Sequence, residues 1–276
     1  MLLIQGTGVQ LIGWPAELCV RLAENGFRVI RFDNRDVGLS SKLDSLGSPD
    51  WPSIIPHIGS CDEVKLPYKL DDFAKDAAGL LDYLKIKQTH VVGASMGGAI
   101  AQIMAIKYPD RVLSLTSIMA SSGNPSLPPG NPEVLSAMAT PAPLSNDVEK
   151  ISSYLVRLNK LMGSPDFPTE DAVLQARARE AISRSWYPEG LARQAAAVII
   201  GDHCDRREEL KKIEIPVVVI HGEKDPVVNV AAGVEVASVI PGADLVLIPG
   251  MGHDLPDQLI SEVYRGILRA VRHEIR

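Results

Sequence analysis

The sequence predicts an α/β protein built on a doubly wound, mostly parallel sheet that carries a helical cap insertion. Three observations predict it. Short β-branched runs alternate with amphipathic stretches along most of the chain, which is the pattern of strand–helix–strand units. Each run is apolar at odd and even positions alike, as a strand covered by helices on both sides must be. The alternation then stops between about 122 and 210, where Pro- and Gly-rich pieces separate segments of helical pattern only. With 276 residues, 46% of them apolar, the chain is long enough for one large core rather than two independent ones.

The predicted strands are "LLIQG" (2–6), "RVIRFD" (28–33), "HVVGA" (90–94), "VLSLTSIMA" (112–120), "VVVIHG" (217–222) and "LVLIPG" (245–250). "WPAELCVRLAENG" follows the first, with Pro15 opening a helix and Gly26 stopping it. "DDFAKDAAGLLDYL" sets Phe73, Ala77, Leu80 and Leu84 on one helical face. Segments 145–163, 169–185 and 188–200 read as helices of the insertion. The expected division is a core of residues 1–121 and 211–276, and a cap of residues 122–210.

"VVGASMGGAI" at 91–100 carries the chemistry. "GASMG" fits G-x-S-x-G between a strand and a helix, a sharp turn in which the residues two before and two after the serine approach closely. Gly93 and Gly97 relieve that crowding, and Ser95 is presented at the C-terminal edge of the sheet with the helix N-terminus aimed at the same spot. A serine hydroxyl needs a base within hydrogen-bond reach, and the base needs an orienting acid. Asp225 follows the strand ending "VVVIHG", and His253 follows the strand ending "LVLIPG". Strand C-termini share one edge of a parallel sheet, so Ser95, Asp225 and His253 are expected to converge, as nucleophile, acid and base. His221 is the competing histidine, but at a strand end it is expected to make structural hydrogen bonds; His57, His90, His203 and His273 lack the setting.

Together "LLIQGTGVQLIGWP", "VIRFDNRDVGLSS", "VVGASMGG", "VIHGEKDPV" and "IPGMGHDLP" resemble the α/β-hydrolase superfamily, and within it the aclacinomycin methylesterase-like serine esterases. The resemblance implies that the backbone N–H groups of Thr7 and Met96 form the oxyanion hole, that the enzyme needs no cofactor or metal, and that a small-molecule ester is the substrate. Two features depart from the family pattern. Gln5-Gly6 stands where relatives have His-Gly, and the strand at 2–6 begins at the first residue, whereas relatives have two further strands before it. "RVIRFD" is then a sheet edge bearing Val29, Ile30 and Phe32, and a homodimer covering it is expected.

Ser at position 95 disfavours the dehalogenase and epoxide hydrolase relatives, which need a carboxylate there. Ester hydrolysis through an acyl-enzyme is the expected reaction. Cofactor-free perhydrolases of the haloperoxidase type and meta-cleavage C–C hydrolases share the triad, and a non-catalytic ligand receptor of the same fold is the alternative of a different class. Phe167, Trp186 and Met162 are the cap residues expected as pocket walls, with Met138, Leu161 and Tyr187 as further candidates; each has a rival place in the cap's own core. Asp33, Arg35 and Asp36 are expected to pin loops by mutual hydrogen bonds, and Trp14 to pack behind the first loop.

The net charge of −6 and the lack of a basic stripe argue against nucleic acid as a partner. No apolar run is long enough to span a membrane. Cys19, Cys61 and Cys204 are scattered and odd in number, which argues against a disulfide framework or a zinc site and for a reduced, cytoplasmic protein.

Overall fold

The computed structural model of the protein describes residues 1–61, 64–201 and 203–272. His273 lies outside them. Six strands, β1 (Leu2–Ile4), β2 (Ile30–Arg31), β3 (Thr89–Ala94), β4 (Val112–Ile118), β5 (Val217–Gly222) and β6 (Asp244–Ile248), form one sheet in the order β2-β1-β3-β4-β5-β6. Every pairing is parallel. All six sequence-predicted strands are present. The "RVIRFD" run contributes only Ile30 and Arg31 to the ladder, and lies at the sheet's edge.

The helices are α1 (Ala16–Glu24), α2 (Trp51–Ile54), α3 (Leu70–Tyr83), α4 (Met96–Lys107), α5 (Pro132–Ala139), α6 (Val148–Met162), α7 (Asp171–Arg184), α8 (Pro188–Gly201), α9 (Arg207–Leu210), α10 (Val230–Val239) and α11 (Ile260–Arg272). Alternate residues of each central strand feed two separate cores. Leu2, Ile4, Val91, Leu115 and Val219 pack with Phe73, Ile100, Met104 and Val236 of α3, α4 and α10. Leu3, Val92, Ile118, Val218 and Ile220 pack with Leu18, Leu22, Val263 and Ile267 of α1 and α11. This double covering explains why the strands read as apolar runs rather than as alternating ones. Trp14 is 1% exposed in the second core. On α3 the buried face comprises Leu70, Phe73, Ala74, Ala77, Ala78 and Leu81. The expected Leu80 and Leu84 are only partly buried.

Between β4 and β5 the described residues form helices only, α5 to α9; α5 is one the sequence patterning missed. Its cap is a real one, with Asn131 Oδ1 accepting the Glu133 N–H at 2.9 Å and Pro132 at the first position. Among the described residues no helix is long and apolar enough to cross a membrane.

The cysteine reading is corrected by the fold. Cys61, in the β2–α3 connection, is disulfide-bonded to Cys204, just after α8, across 143 residues of sequence. Each lies in a loop without ligand or hairpin spacing, so only the tertiary approach of the two loops reveals the pair. Cys19 is the free thiol. The cysteines therefore give no ground for a reduced compartment, since such bonds persist in oxidising ones.

Asp33 and Asp36 do pin loops, accepting the Leu11, Leu39 and Leu43 N–H groups, but their charged partners are arginines of the cap rather than Arg35. Asp33 Oδ2 accepts Arg184 of α7 at 2.6 Å and the Leu39 N–H at 2.9 Å. Asp36 receives a forked pair from Arg193 of α8, at 2.8 and 2.9 Å, together with the Tyr68 hydroxyl at 2.8 Å. The Arg193 and Asp36 side chains are 2% and 0% exposed. Burial opposes the charge on Asp36, but the Arg193 guanidinium, the Leu43 N–H and the Tyr68 hydroxyl together outweigh it and hold the carboxyl below its usual range. Arg35 turns outward onto Asp76, at 2.7 Å.

Removing one partner of a buried pair strands the other, so Arg193→Ala should cost about 3–5 kcal/mol of unfolding free energy at pH 7. The sign with pH follows from the depressed carboxyl. Its stabilisation is complete above the unfolded-chain carboxylate pKa of about 4 and is lost as pH falls through the folded value. Urea melts of parent and variant should therefore differ most at pH 7, and the difference should shrink as pH falls below about 4. A difference under about 1 kcal/mol at pH 7 would show that the pair does not hold the cap.

Candidate active site

Ser95 stands between β3 and α4 with φ 57° and ψ −125°, a backbone conformation that non-glycine residues seldom adopt. Its neighbours leave no alternative. A Cβ on Gly93 would run into the Gly97 carbonyl, and a Cβ on Gly97 into the Ile4 carbonyl at the end of β1. The Ser95 N–H is tied to the Ile118 carbonyl of β4 at 2.9 Å. The turn is thereby wedged between three backbones, and the hydroxyl is presented above the sheet edge.

His253 and Asp225 arrive from the ends of β6 and β5. Ser95 Oγ lies 2.9 Å from His253 Nε2, and His253 Nδ1 lies 2.7 Å from Asp225 Oδ2. Ionised Asp225 can only accept, so the imidazole proton sits on Nδ1 and the Nε2 lone pair faces the serine hydroxyl. The other carboxylate oxygen accepts the N–H groups of Val227 and Val228 at 2.8 and 2.9 Å. Burial pushes the Asp225 carboxyl up, but the His253 and His221 imidazoles together prevail and hold it well below the ordinary carboxylate range. His221 is fully buried, with Nε2 at 2.9 Å from the Val228 carbonyl. It braces the loop that carries Asp225 and does not reach Ser95.

The first loop closes the other side. A Cβ on Gly6 would lie 3.1 Å from Ser95 Cβ and 3.5 Å from Ser95 Oγ, so the backbone entering Thr7 passes directly beside the hydroxyl. Met96 is the first residue of α4, and its N–H is among those a helix leaves without an internal acceptor. Gln5 fills the place of the family histidine by accepting the Gly6 N–H at 3.1 Å through Oε1.

The cap reaches the histidine loop through main chain, a contact no spacing rule signals. The His253 N–H donates to the Met162 carbonyl at 2.7 Å. The Ser164 hydroxyl bridges the loop, accepting the Gly252 N–H at 2.9 Å and donating to Asp254 Oδ1 at 2.5 Å. Of the expected pocket residues, Met162 therefore meets His253 through its backbone. Trp186 lies edge-on to Tyr154 at 6.3 Å, with its indole N–H on the Pro143 carbonyl. Phe167 packs partly buried against the core that includes Met251. Leu161 lines two open cavities of about 460 Å³ each, one on the cap and one between the cap and the loops of Pro226 and Asp254; Ser95 and His253 line neither. Tyr187 bonds to Arg193 and Asp44, and Met138 is 39% exposed. No group of three His, Cys, Asp or Glu side chains is clustered for a metal ion among the described residues. A hydroxyl, an imidazole with a bare Nε2, a buried carboxylate and two nearby backbone N–H groups constitute apparatus for nucleophilic attack on a carbonyl.

Comparison with known proteins agrees with this architecture. The chain is 30% identical to a rhodomycin D methylesterase of Streptomyces sp. (strain C5), over 93% of this chain and 85% of that protein. It is 24% identical to a bifunctional esterase/perhydrolase of Acinetobacter calcoaceticus, over 94% and 86% of the two chains. A meta-cleavage product hydrolase from Pseudomonas fluorescens IP01 superposes with a TM-score of 0.73, covering 99% of this chain and 90% of its own at 20% identity, a likeness of fold. The sequence profile described as the alpha/beta hydrolase fold matches residues 2–258, and on that match, with the six-stranded parallel sheet beneath it, the chain belongs to the alpha/beta hydrolase fold family.

Proposed function

We propose that the protein is a serine carboxylesterase that hydrolyses small to medium apolar esters through an acyl-enzyme on Ser95. The observation that carries the reading is the continuous line from Ser95 Oγ to His253 to Asp225, at 2.9 and 2.7 Å. The methylesterase and esterase relatives support the bond type.

In this reading His253 Nε2 takes the Ser95 proton as Oγ attacks the ester carbonyl. The charge that develops on the carbonyl oxygen is met by the Thr7 and Met96 N–H groups, which need not reorient during the reaction. Asp225 keeps the imidazole in the Nδ1–H tautomer and faces the imidazolium as it forms. The proton then passes to the leaving alcohol, and a water activated by the same histidine releases the acid. In this reading Leu191, set against Gly8, and the cap residues Met162, Phe167 and Trp186 are assigned to the acyl side.

A second reaction uses the same acyl-enzyme. If hydrogen peroxide replaces water in the deacylation step, the product is a peracid, and the esterase/perhydrolase relative favours testing it. Peracid formation from acetate and peroxide, absent in Ser95→Ala, is the expected positive result.

The parent should hydrolyse p-nitrophenyl acetate or butyrate, and Ser95→Ala should abolish the reaction while keeping the parent's melting curve. Residual turnover within about tenfold of the parent would contradict an acyl-enzyme on Ser95, because loss of the nucleophile costs several orders of magnitude. Asp225→Asn should lower kcat by on the order of 10³–10⁴ with KM little changed, since the amide favours the wrong imidazole tautomer. Exchanging the insertion at about 122–210 with that of a related esterase should carry acyl-length preference with it; a preference that stays with the sheet would refute the cap's role in selection.

A further inference from the structure

The loop after β1 has a simple donor inventory. The Gly6 N–H goes to Gln5 Oε1 at 3.1 Å, the Gly8 N–H to Gln194 Oε1 at 2.7 Å, and the Val9 N–H to the Gly6 carbonyl at 3.2 Å. Among the described residues the Thr7 N–H has no protein acceptor. It is the one backbone N–H of residues 6 to 9 left for a ligand among the described residues, and it is held between two that are committed.

The acceptor for Gly8 comes from the cap, 186 residues away in sequence. Gln194 is completely buried on α8. Its Nε2 donates to the Arg35 carbonyl at 2.6 Å. A carbonyl only accepts, so the amide is oriented with nitrogen towards Arg35 and Oε1 towards Gly8. Both ends are satisfied, which removes the usual penalty of burying an amide. The helix itself cannot drift: the adjacent Arg193 forks onto Asp36. Leu191, one turn earlier on the same face, abuts Gly8, where a Cβ would lie 2.6 Å from Leu191 Cδ1. Gly8 adopts φ +70°, a conformation glycine tolerates and one that turns its N–H towards α8.

We propose that Gln194 is a positioning residue for the reaction: from the cap, its Oε1 fixes the Thr7–Gly8 peptide and with it the Thr7 Cα, which carries the N–H of the preceding Gly6–Thr7 peptide, and so holds that N–H towards the oxygen of an ester carbonyl placed against Ser95. The inference rests on the esterase reading, in which Thr7 supplies an oxyanion contact. The cap then contributes to rate as well as to substrate choice, because without α8 the first loop has no partner for Gly8.

The test is to compare the parent with Gln194→Met, which is near in volume but has no amide, and with Gln194→Asn, which draws the amide back by one methylene. Asn gives the same reading should the Met variant fail to fold. Hydrolysis of p-nitrophenyl acetate is measured beside inhibition by an aryl trifluoromethyl ketone, whose tetrahedral serine adduct places an oxyanion where the transition state does. Loss of a direct oxyanion donor costs on the order of 10²–10³ in rate, and loosening one should cost about 10–100-fold in kcat with KM within about threefold. The inhibition constant should rise by the same factor as kcat/KM falls. Rates within about threefold of the parent would overturn the proposal, and so would a rate loss that leaves trifluoromethyl ketone affinity unchanged. Ser95→Ala in the same assay separates the two levels: if that variant still turns over like the parent, the esterase reading itself fails and takes this one with it.

Discussion

Three main-chain segments meet at Ser95 with no room for a side chain between them: the end of β1 at Ile4, the end of β3 at Gly93 and the first turn of α4 at Gly97. That crowding is what the rest of the site depends on. It forces Ser95 into a left-handed conformation and lifts its hydroxyl clear of the sheet. It also sets α4's unpaired N–H groups and the first loop on either side of one point. The strain at such a residue costs about 1–3 kcal/mol. It is sustained because the surroundings, including the Ser95 N–H bond to β4, permit nothing else.

Around this fixed point the other groups are delivered by loops, and loops alone would place them loosely. The structure restrains each with buried polar contacts. Asp225 is held by two backbone N–H groups and flanked by His221. The His253 loop is tied to Met162 and Ser164, and the Gly8 peptide to Gln194. Two of these three restraints come from the cap. The insertion is thus bolted to the core at two places that flank Ser95, while the Arg193–Asp36 and Arg184–Asp33 pairs fix its helices to the loop after β2. A cap held in this way ties the helices of the insertion to the loops on both sides of Ser95.

Much of this was legible in the linear pattern, and the reasons are specific. Strands buried on both faces must be apolar throughout, so six runs announced six strands. The turn at Ser95 tolerates only glycine at 93 and 97, so the motif names its own geometry. Asp225 and His253 stand just beyond strand ends, and a parallel sheet has one edge for all such ends. The expectations that failed were those requiring knowledge of which loops meet. Cys61 and Cys204 sit in unremarkable surroundings and pair only because two distant connections touch. Asp33 and Asp36, close in sequence, were expected to bond with each other and with Arg35, yet their arginine partners lie in the cap.

By itself, then, the sequence determined the sheet, the helical character of the insertion, and the identity and order of the serine, carboxylate and histidine. These follow from local rules: periodicity, steric exclusion at a turn, and the common direction of parallel strands. Only the tertiary structure decided how the cap is seated, which arginine meets which buried carboxylate, and which acceptor captures the Gly8 N–H. Those contacts join residues separated by 150 positions or more, as in Arg184–Asp33, Arg193–Asp36 and Gln194–Gly8, whose separations are 151, 157 and 186. A buried polar group must find a partner somewhere, but its side chain carries no information about where. That is settled when the helices of the cap pack onto the core, and the hydrogen bonds then select among the few donors and acceptors that packing has brought within reach.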